Sequence, residues 1–279
     1  MPKIFPTPEV FMKIAFSTLG CPDWSWDVIL ATAKDMGYDG IEIRGIANEI
    51  YAPKIPAFSP DNIDRSASKL KKMGLSVSCL TSACYLYDRS AADITVSEGK
   101  EYIDLARALG VPFVRVLGDR DPQPGKDIDD GFVSDQLGKL CSYAKGSGVR
   151  VLIETNGVFA DSQRLLKVVE AAGGDSLGVL WDVHHPYRFF GESPEYTYSV
   201  LRDWICYLHV KDSVVTEDGK IRYKMMGYGD VPVAETLDLL KNNDCSGYVT
   251  LEWVKRWYSE LEEPGVVFMQ YVNYMRRRK

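Results

Sequence analysis

The chain has 279 residues, 46% apolar and 26% charged, with a formal net charge of −6. That length suits two medium domains or one barrel of roughly 250 residues, and a core of that size needs neither disulfide nor structural metal to be stable. The acidic balance repels a phosphate backbone and no window reaches the roughly 18 apolar residues of a membrane span, so neither nucleic acid nor membrane is an expected partner.

The start, Met1-Pro2-Lys3-Ile4-Phe5-Pro6, lacks the apolar run of a signal peptide. Residues 1–12 read as an arm outside a single domain at 13–279. The first strand-like run is Ile14–Ser17, followed by a helix through Val28, Ile29, Ala33 and Met36 that ends at Gly37. Gly40–Arg44 is the second run. Ser59-Pro60-Asp61 then places an N-cap before a helix that Gly74 closes. The third run, Ser76–Leu80, precedes helical spacing from Tyr102 to Leu109, stopped by Gly110. Phe113–Leu117 and Arg150–Glu154 follow, and Asp161 caps a helix through Leu165, Leu166, Val168 and Val169 that ends at Gly173-Gly174. After Gly178–Val183, Ser193-Pro194 opens another helix ahead of Ile205–Val210.

Between Val214 and Tyr223, Asp218-Gly219 joins two β-prone arms and predicts a hairpin. It reads equally as a turn into the next helix or as a flap over a barrel mouth. Arg222, Lys224 and the Gly227/Gly229 pair beside it offer a weak phosphate site. Val233–Leu240 is helical, Tyr248–Trp253 is the last strand run, and Val266–Met275 is the last helix, before a solvated basic end at Arg276-Arg277-Arg278-Lys279.

Most strand runs are apolar without alternation, as parallel strands covered by helices are. Repeated strand–helix units make an α/β protein, and a single (β/α)8 TIM barrel fits better than an open doubly wound sheet. No Gly-rich phosphate turn follows the first strand, and the polar residues gather at late strand ends. Six cysteines, none in a C-x-x-C pair, sit mostly in apolar runs and fit a reduced, cytoplasmic setting.

The last four strands share one pattern. Val151-Leu152-Ile153 runs into Glu154, Val179-Leu180-Trp181 into Asp182, Cys206-Tyr207-Leu208 into His209, and Val249-Thr250-Leu251 into Glu252. A barrel brings all four to its C-terminal mouth, where such enzymes keep their active sites. Three carboxylates and an imidazole suit one divalent ion, Mn²⁺ first, with Mg²⁺, Co²⁺ or Zn²⁺ as alternatives. The chain's three histidines, His184, His185 and His209, all fall at this mouth.

These segments, with Ile153-Glu154-Thr155-Asn156, Asp182-Val183-His184-His185, His209-Val210-Lys211-Asp212, Gly227-Tyr228-Gly229-Asp230-Val231-Pro232 and Ile41-Glu42-Ile43-Arg44, resemble the sugar phosphate isomerase/epimerase superfamily with the xylose-isomerase-like barrel, which includes ketose epimerases and inosose isomerases. The resemblance implies a metal held by Glu154, Asp182, His209 and Glu252. It implies proton transfer by Glu154 and Glu252 on a keto-sugar, sugar phosphate or keto-inositol, through an enediolate. His185 and Lys211 would donate to substrate oxygens. The chain departs from ketose epimerases at Ala160, where they carry a further Glu, which counts against a free-ketose C3 epimerase.

Glu42, Arg44 and Arg115 compete as substrate contacts and as members of buried salt bridges. Trp181, with Trp253, Trp257, Tyr85 and Phe16, offers an apolar wall for a sugar face or simple packing. The expected partner is a small polyol or sugar; a homo-oligomer is left open. An inosose-dehydratase-like lyase uses the same base on the same fold, and a non-catalytic sugar-binding barrel is the third alternative. An endonuclease IV-like site needs more than three histidines and the opposite charge.

Overall fold

The computed structural model describes residues 12–125 and 127–278. The expected arm at 1–12 therefore falls, Met12 apart, outside the described residues. The strands are β1 Lys13–Ser17, β2 Gly40–Ile43, β3 Ser76–Tyr85, β4 Phe113–Leu117, β5 Arg150–Glu154, β6 Leu177–Asp182, β7 Ile205–Val210, β8 Asp212–Val215, β9 Ile221–Lys224 and β10 Tyr248–Leu251. The helices are α1 Trp26–Met36, α2 Ile63–Met73, α3 Ala92–Leu109, α4 Asp130–Ala144, α5 Ser162–Ala172, α6 His184–Phe190, α7 Pro194–Leu201, α8 Val233–Asn242 and α9 Pro264–Arg276.

Eight parallel strands close in the order β1-β10-β7-β6-β5-β4-β3-β2, which removes the open-sheet alternative. Closure rests on β1, which pairs Ala15 with both Thr250 and Gly40. The strand runs read from the sequence all fall on these eight, displaced at their ends by a few residues.

Local chemistry fixes the helix ends. Asp161 accepts from the backbone of Gln163 and Arg164 at 3.0 Å, and Ser193 accepts from Tyr196 at 3.2 Å ahead of Pro194. Gly74 and Gly110 close α2 and α3 in the left-handed region, where a side chain would strain the backbone. The expected cap at Ser59 is not formed. Its hydroxyl bonds to the Pro56 carbonyl, and α2 begins only at Ile63. The sequence placed no boundaries for α4 or α6, because two glycines dilute the pattern of the first and the second has only seven residues, about two turns.

Alternation along each strand sorts the side chains into two layers. The outward set packs with the helices into one large cluster. The inward set forms a small floor of Cys79, Leu152, Leu180 and Tyr207, joined by Cys206 where a register shift in β7 interrupts the alternation, with the Tyr207 hydroxyl bonded to Ser78 and Thr250 at 2.7 and 2.6 Å. Two residues further along the same strands come Glu154, Asp182, His209 and Glu252. The floor thus seals the barrel beneath its polar rim. All six cysteines are free, and no helix of the described residues is long and apolar enough to cross a membrane.

Candidate metal centre

Glu154 and Asp182 are the last residues of β5 and β6, His209 is the penultimate residue of β7, and Glu252 follows β10. Asp182 pairs level with His209, while Glu154 pairs with Leu180 and His209 with Thr250, so Glu154 and Glu252 are each offset by two residues from their neighbours, the stagger of a closed barrel. One ligand atom from each of the four lies within 4.8 Å of every other, and all four residues are buried. Bonds of about 2.0–2.6 Å place atoms on opposite sides of an ion roughly 4.0–5.2 Å apart, so the set has the size of a coordination shell.

Two observations test the fit. First, His209 Nδ1 is buried with no hydrogen-bond partner, and the nearest carboxylate oxygens are Glu252 Oε1 at 3.5 Å, Glu154 Oε1 at 3.8 Å and Asp182 Oδ2 at 3.9 Å. The other ring nitrogen, Nε2, lies 2.6 Å from Glu42 Oε2. A carboxylate holding one nitrogen of a ligating imidazole fixes which nitrogen faces the metal. Second, among the described residues four buried carboxylates (Glu42, Glu154, Asp182, Glu252) touch two permanent cations, Lys211 and Arg115. Two negative charges remain, which a divalent ion balances.

The excess of carboxylates acts on the ring and on the lysine. Burial works against a charge on His209, yet the carboxylates of Glu42 and Glu252 hold its imidazole well above the usual value. Burial would also neutralise Lys211, but Asp182 and Glu252 keep it firmly protonated. Its ammonium bonds to Asp182 and, at 2.5 Å, to Glu252 Oε2. Burial would raise Glu154 and Glu252; Arg115 beside the first and Lys211 beside the second leave both below the ordinary carboxylate range. Arg115 Nε reaches Glu154 Oε2 at 3.1 Å, so of the two readings for Arg115 it is the buried salt bridge that forms.

His185 lies beside the four, with Nδ1 2.9 Å from the Thr155 carbonyl. A carbonyl only accepts, so Nδ1 carries the proton and Nε2 offers a lone pair. Burial lowers the pKa of His185, which keeps the ring neutral. Expected as a donor to substrate, the ring is arranged to accept. His184 forms a second close group with Asp182 and His185, one ligand atom of each within 4.8 Å of the others, while its Nε2 lies 2.9 Å from Ser213 Oγ and its ring 5.7 Å from that of Tyr223 on the hairpin.

Three sequence expectations change. Glu42 stands behind His209 rather than on the substrate side. Trp181 faces outward into the helix layer, because its neighbour Asp182 takes the inward position and successive residues of a strand alternate. Phe16 and Trp253 are core residues too, while Trp257 is half exposed. The phosphate site at Gly227/Gly229 does not form. Asp212 occupies those amides, with Oδ2 accepting from Gly227 and Gly229 at 2.9 and 2.8 Å, and Oδ1 from Ser213 and Val231 at 2.9 and 3.2 Å.

Asp212 was overlooked as a structural residue because its partners lie up to 19 residues away, a spacing with no local signature. Replacing Asp212 with Ala strands several backbone donors and is expected to cost about 3 kcal/mol or more, read as a lowered urea midpoint. An unchanged midpoint would show that water serves those amides equally well.

A parallel barrel with a closed floor and four metal-competent side chains at its C-terminal rim defines a (β/α)8 protein of the kind that works from its mouth. The chain belongs to the xylose isomerase-like TIM barrel family, which it matches over residues 30–276. It is similar to the fructoselysine 3-epimerase of Shigella flexneri, 23% identical over 263 residues that cover 89% of this chain and 92% of that protein. Among solved structures, the probable 3-DHS dehydratase AsbF involved in petrobactin synthesis from Bacillus anthracis superposes with a TM-score of 0.79 at 16% identity, covering 96% of this chain and 100% of that one. The IOLI protein with a bound zinc atom gives 0.77 at 19% identity, covering 96% and 99%.

Proposed function

We propose that the protein is a divalent-metal-dependent epimerase or isomerase acting on a keto-sugar, sugar phosphate or keto-inositol. The observation that carries this reading is the unpartnered Nδ1 of His209 facing the carboxylates of Glu154, Asp182 and Glu252. The similarity to a fructoselysine 3-epimerase supports proton transfer next to a carbonyl as the chemistry. The four residues would hold the ion, and the oxygen-rich donor set favours Mn²⁺ or Mg²⁺ over softer metals. When bound, it supplies Lewis-acid polarisation of a substrate carbonyl.

The protein's own part is proton transfer and orientation. Strand order places Glu154 and Glu252 at the two ends of the arc β5-β6-β7-β10, with Asp182 and His209 between them. Each glutamate is clamped on Oε2, by Arg115 or Lys211, and turns Oε1 toward the centre. A base held in one orientation beside the reacting carbon is what general-base catalysis requires. Glu154 and Glu252 thus approach a substrate from two sides, one removing the proton and the other returning it. His185 Nε2 accepts from a substrate hydroxyl, and the Lys211 ammonium stabilises negative charge developing on oxygen.

The test is metal analysis followed by a keto-sugar and inosose panel in D₂O, read by proton NMR. The expected result is one ion per chain and solvent deuterium at the carbon next to the carbonyl, with an isomeric product. A product lacking water would assign the lyase chemistry instead. One bound ion with no exchange on any substrate would make this a binding barrel, and no bound ion would remove the proposal.

A further inference from the structure

Arg44 is a buried cation with no carboxylate partner among the described residues. Around it, Arg115 pairs with Glu154, Lys211 with Asp182 and Glu252, and Lys255 with Glu263. Arg44 is only 6% exposed, and its Nη1 meets no hydrogen-bond partner. Its guanidinium lies over the ring of Trp257, 5.8 Å from the centroid. Its backbone is firmly placed, the amide donating to Thr18 Oγ1 at 2.8 Å.

Position gives the orphan group a direction. Arg44 lies in the bend just after β2, two residues past Glu42, and the charge of the inward-facing Arg115 acts on it, which puts it on the barrel side of the rim. Glu42 already touches His209, so Arg44 stands nearer the solvent, over the donor set. The charge of Arg115 is felt there, as are the phenols of Tyr85 and Tyr102. Trp257, 52% exposed, forms one wall of the same place from the loop after β10.

Stability gives no reason to keep such a group. A desolvated, unpaired guanidinium costs free energy, and burial together with Arg115 pulls Arg44 below the usual guanidinium range. Nor is it needed to balance the rim, where two negative charges already match a divalent ion. Its charge and its planar fork are left for something that arrives from outside.

We infer that Arg44, with Trp257 alongside, binds an oxyanion at the end of the substrate away from the reacting carbonyl, so that the substrate is a sugar acid or a sugar phosphate rather than a neutral sugar. The guanidinium fork meets a carboxylate or phosphate with two parallel hydrogen bonds, and exclusion of water by the indole strengthens both. This inference rests on the placement of the substrate at the rim proposed above.

Calorimetric titration with D-gluconate, D-glucitol 6-phosphate and D-glucitol tests it, on the Mn²⁺-supplemented wild type, Arg44→Gln and Arg44→Lys. The wild type is expected to bind one of the two anions at least about tenfold more tightly than glucitol, and the preferred anion distinguishes carboxylate from phosphate. Arg44→Gln should lose that preference, and Arg44→Lys, which keeps the charge without the fork, should retain part of it. Arg44→Gln should also melt at or above the wild-type temperature without ligand, since it removes an unpaired buried charge; a purely structural arginine would lower it. A wild type that binds the anions no better than glucitol, or a preference that survives in Arg44→Gln, overturns the inference. Parallel Mn²⁺ titration separates the two proposals. One ion bound without anion preference leaves the metal centre standing alone, and anion preference without a bound ion leaves only the Arg44 site.

Discussion

Glu252→Gln and Glu154→Gln are each expected to cut solvent deuterium uptake by about 10²–10⁴-fold, the usual contribution of a positioned acid–base group. Glutamine keeps the shape of the side chain and removes its basicity. The two variants also divide the possible chemistries. A two-base epimerase needs both carboxylates, so both variants lose the isomeric product, and each keeps exchange only in the epimer whose C–H faces the remaining carboxylate. A shuttle that carries one proton to the next carbon needs one of them, so exchange survives in the other variant. Because both glutamates are also expected metal ligands, exchange should be followed at saturating metal with the bound ion counted in the same samples. Wild-type exchange rates in both variants would remove the glutamates from the reaction.

Glu42→Gln is expected to weaken metal binding by about ten- to a hundredfold, although Glu42 would never touch the ion. Glu42 Oε2 holds His209 Nε2 at 2.6 Å, which leaves Nδ1 as the nitrogen facing the three carboxylates. A neutral amide can still accept that hydrogen bond but gives up the charge that makes the imidazole a better ligand. The measurement is competition against a fluorescent chelator. An affinity equal to wild type would mean that Glu42 serves only to neutralise the barrel interior.

The fold was legible because most barrel strands are short, unalternating apolar runs, and helix ends such as Asp161 and Ser193 carry their caps in adjacent residues. Where the signal was weak the reading thinned. The helix after β4 holds glycines at 131 and 138, and α6 is only about two turns long and begins two residues past Asp182, at His184. The Asp218-Gly219 turn gave the β8–β9 hairpin its position. That the hairpin leans Tyr223 on His184 is a tertiary fact with no local signature.

At the rim, the sequence by itself determined which side chains could meet. Glu154, Asp182, His209 and Glu252 all end an apolar strand run, and in a parallel barrel every strand end reaches the same mouth. Only the tertiary structure decided what surrounds them. Glu42 stands 167 residues from His209 in the chain and Lys211 stands 41 from Glu252, so those pairings arise from barrel closure rather than from any neighbouring residue. The same holds for Arg44. The sequence left it between salt bridge and substrate contact, and closure brought it an aromatic ring and no carboxylate, because ion pairing depends on which strands end side by side in space.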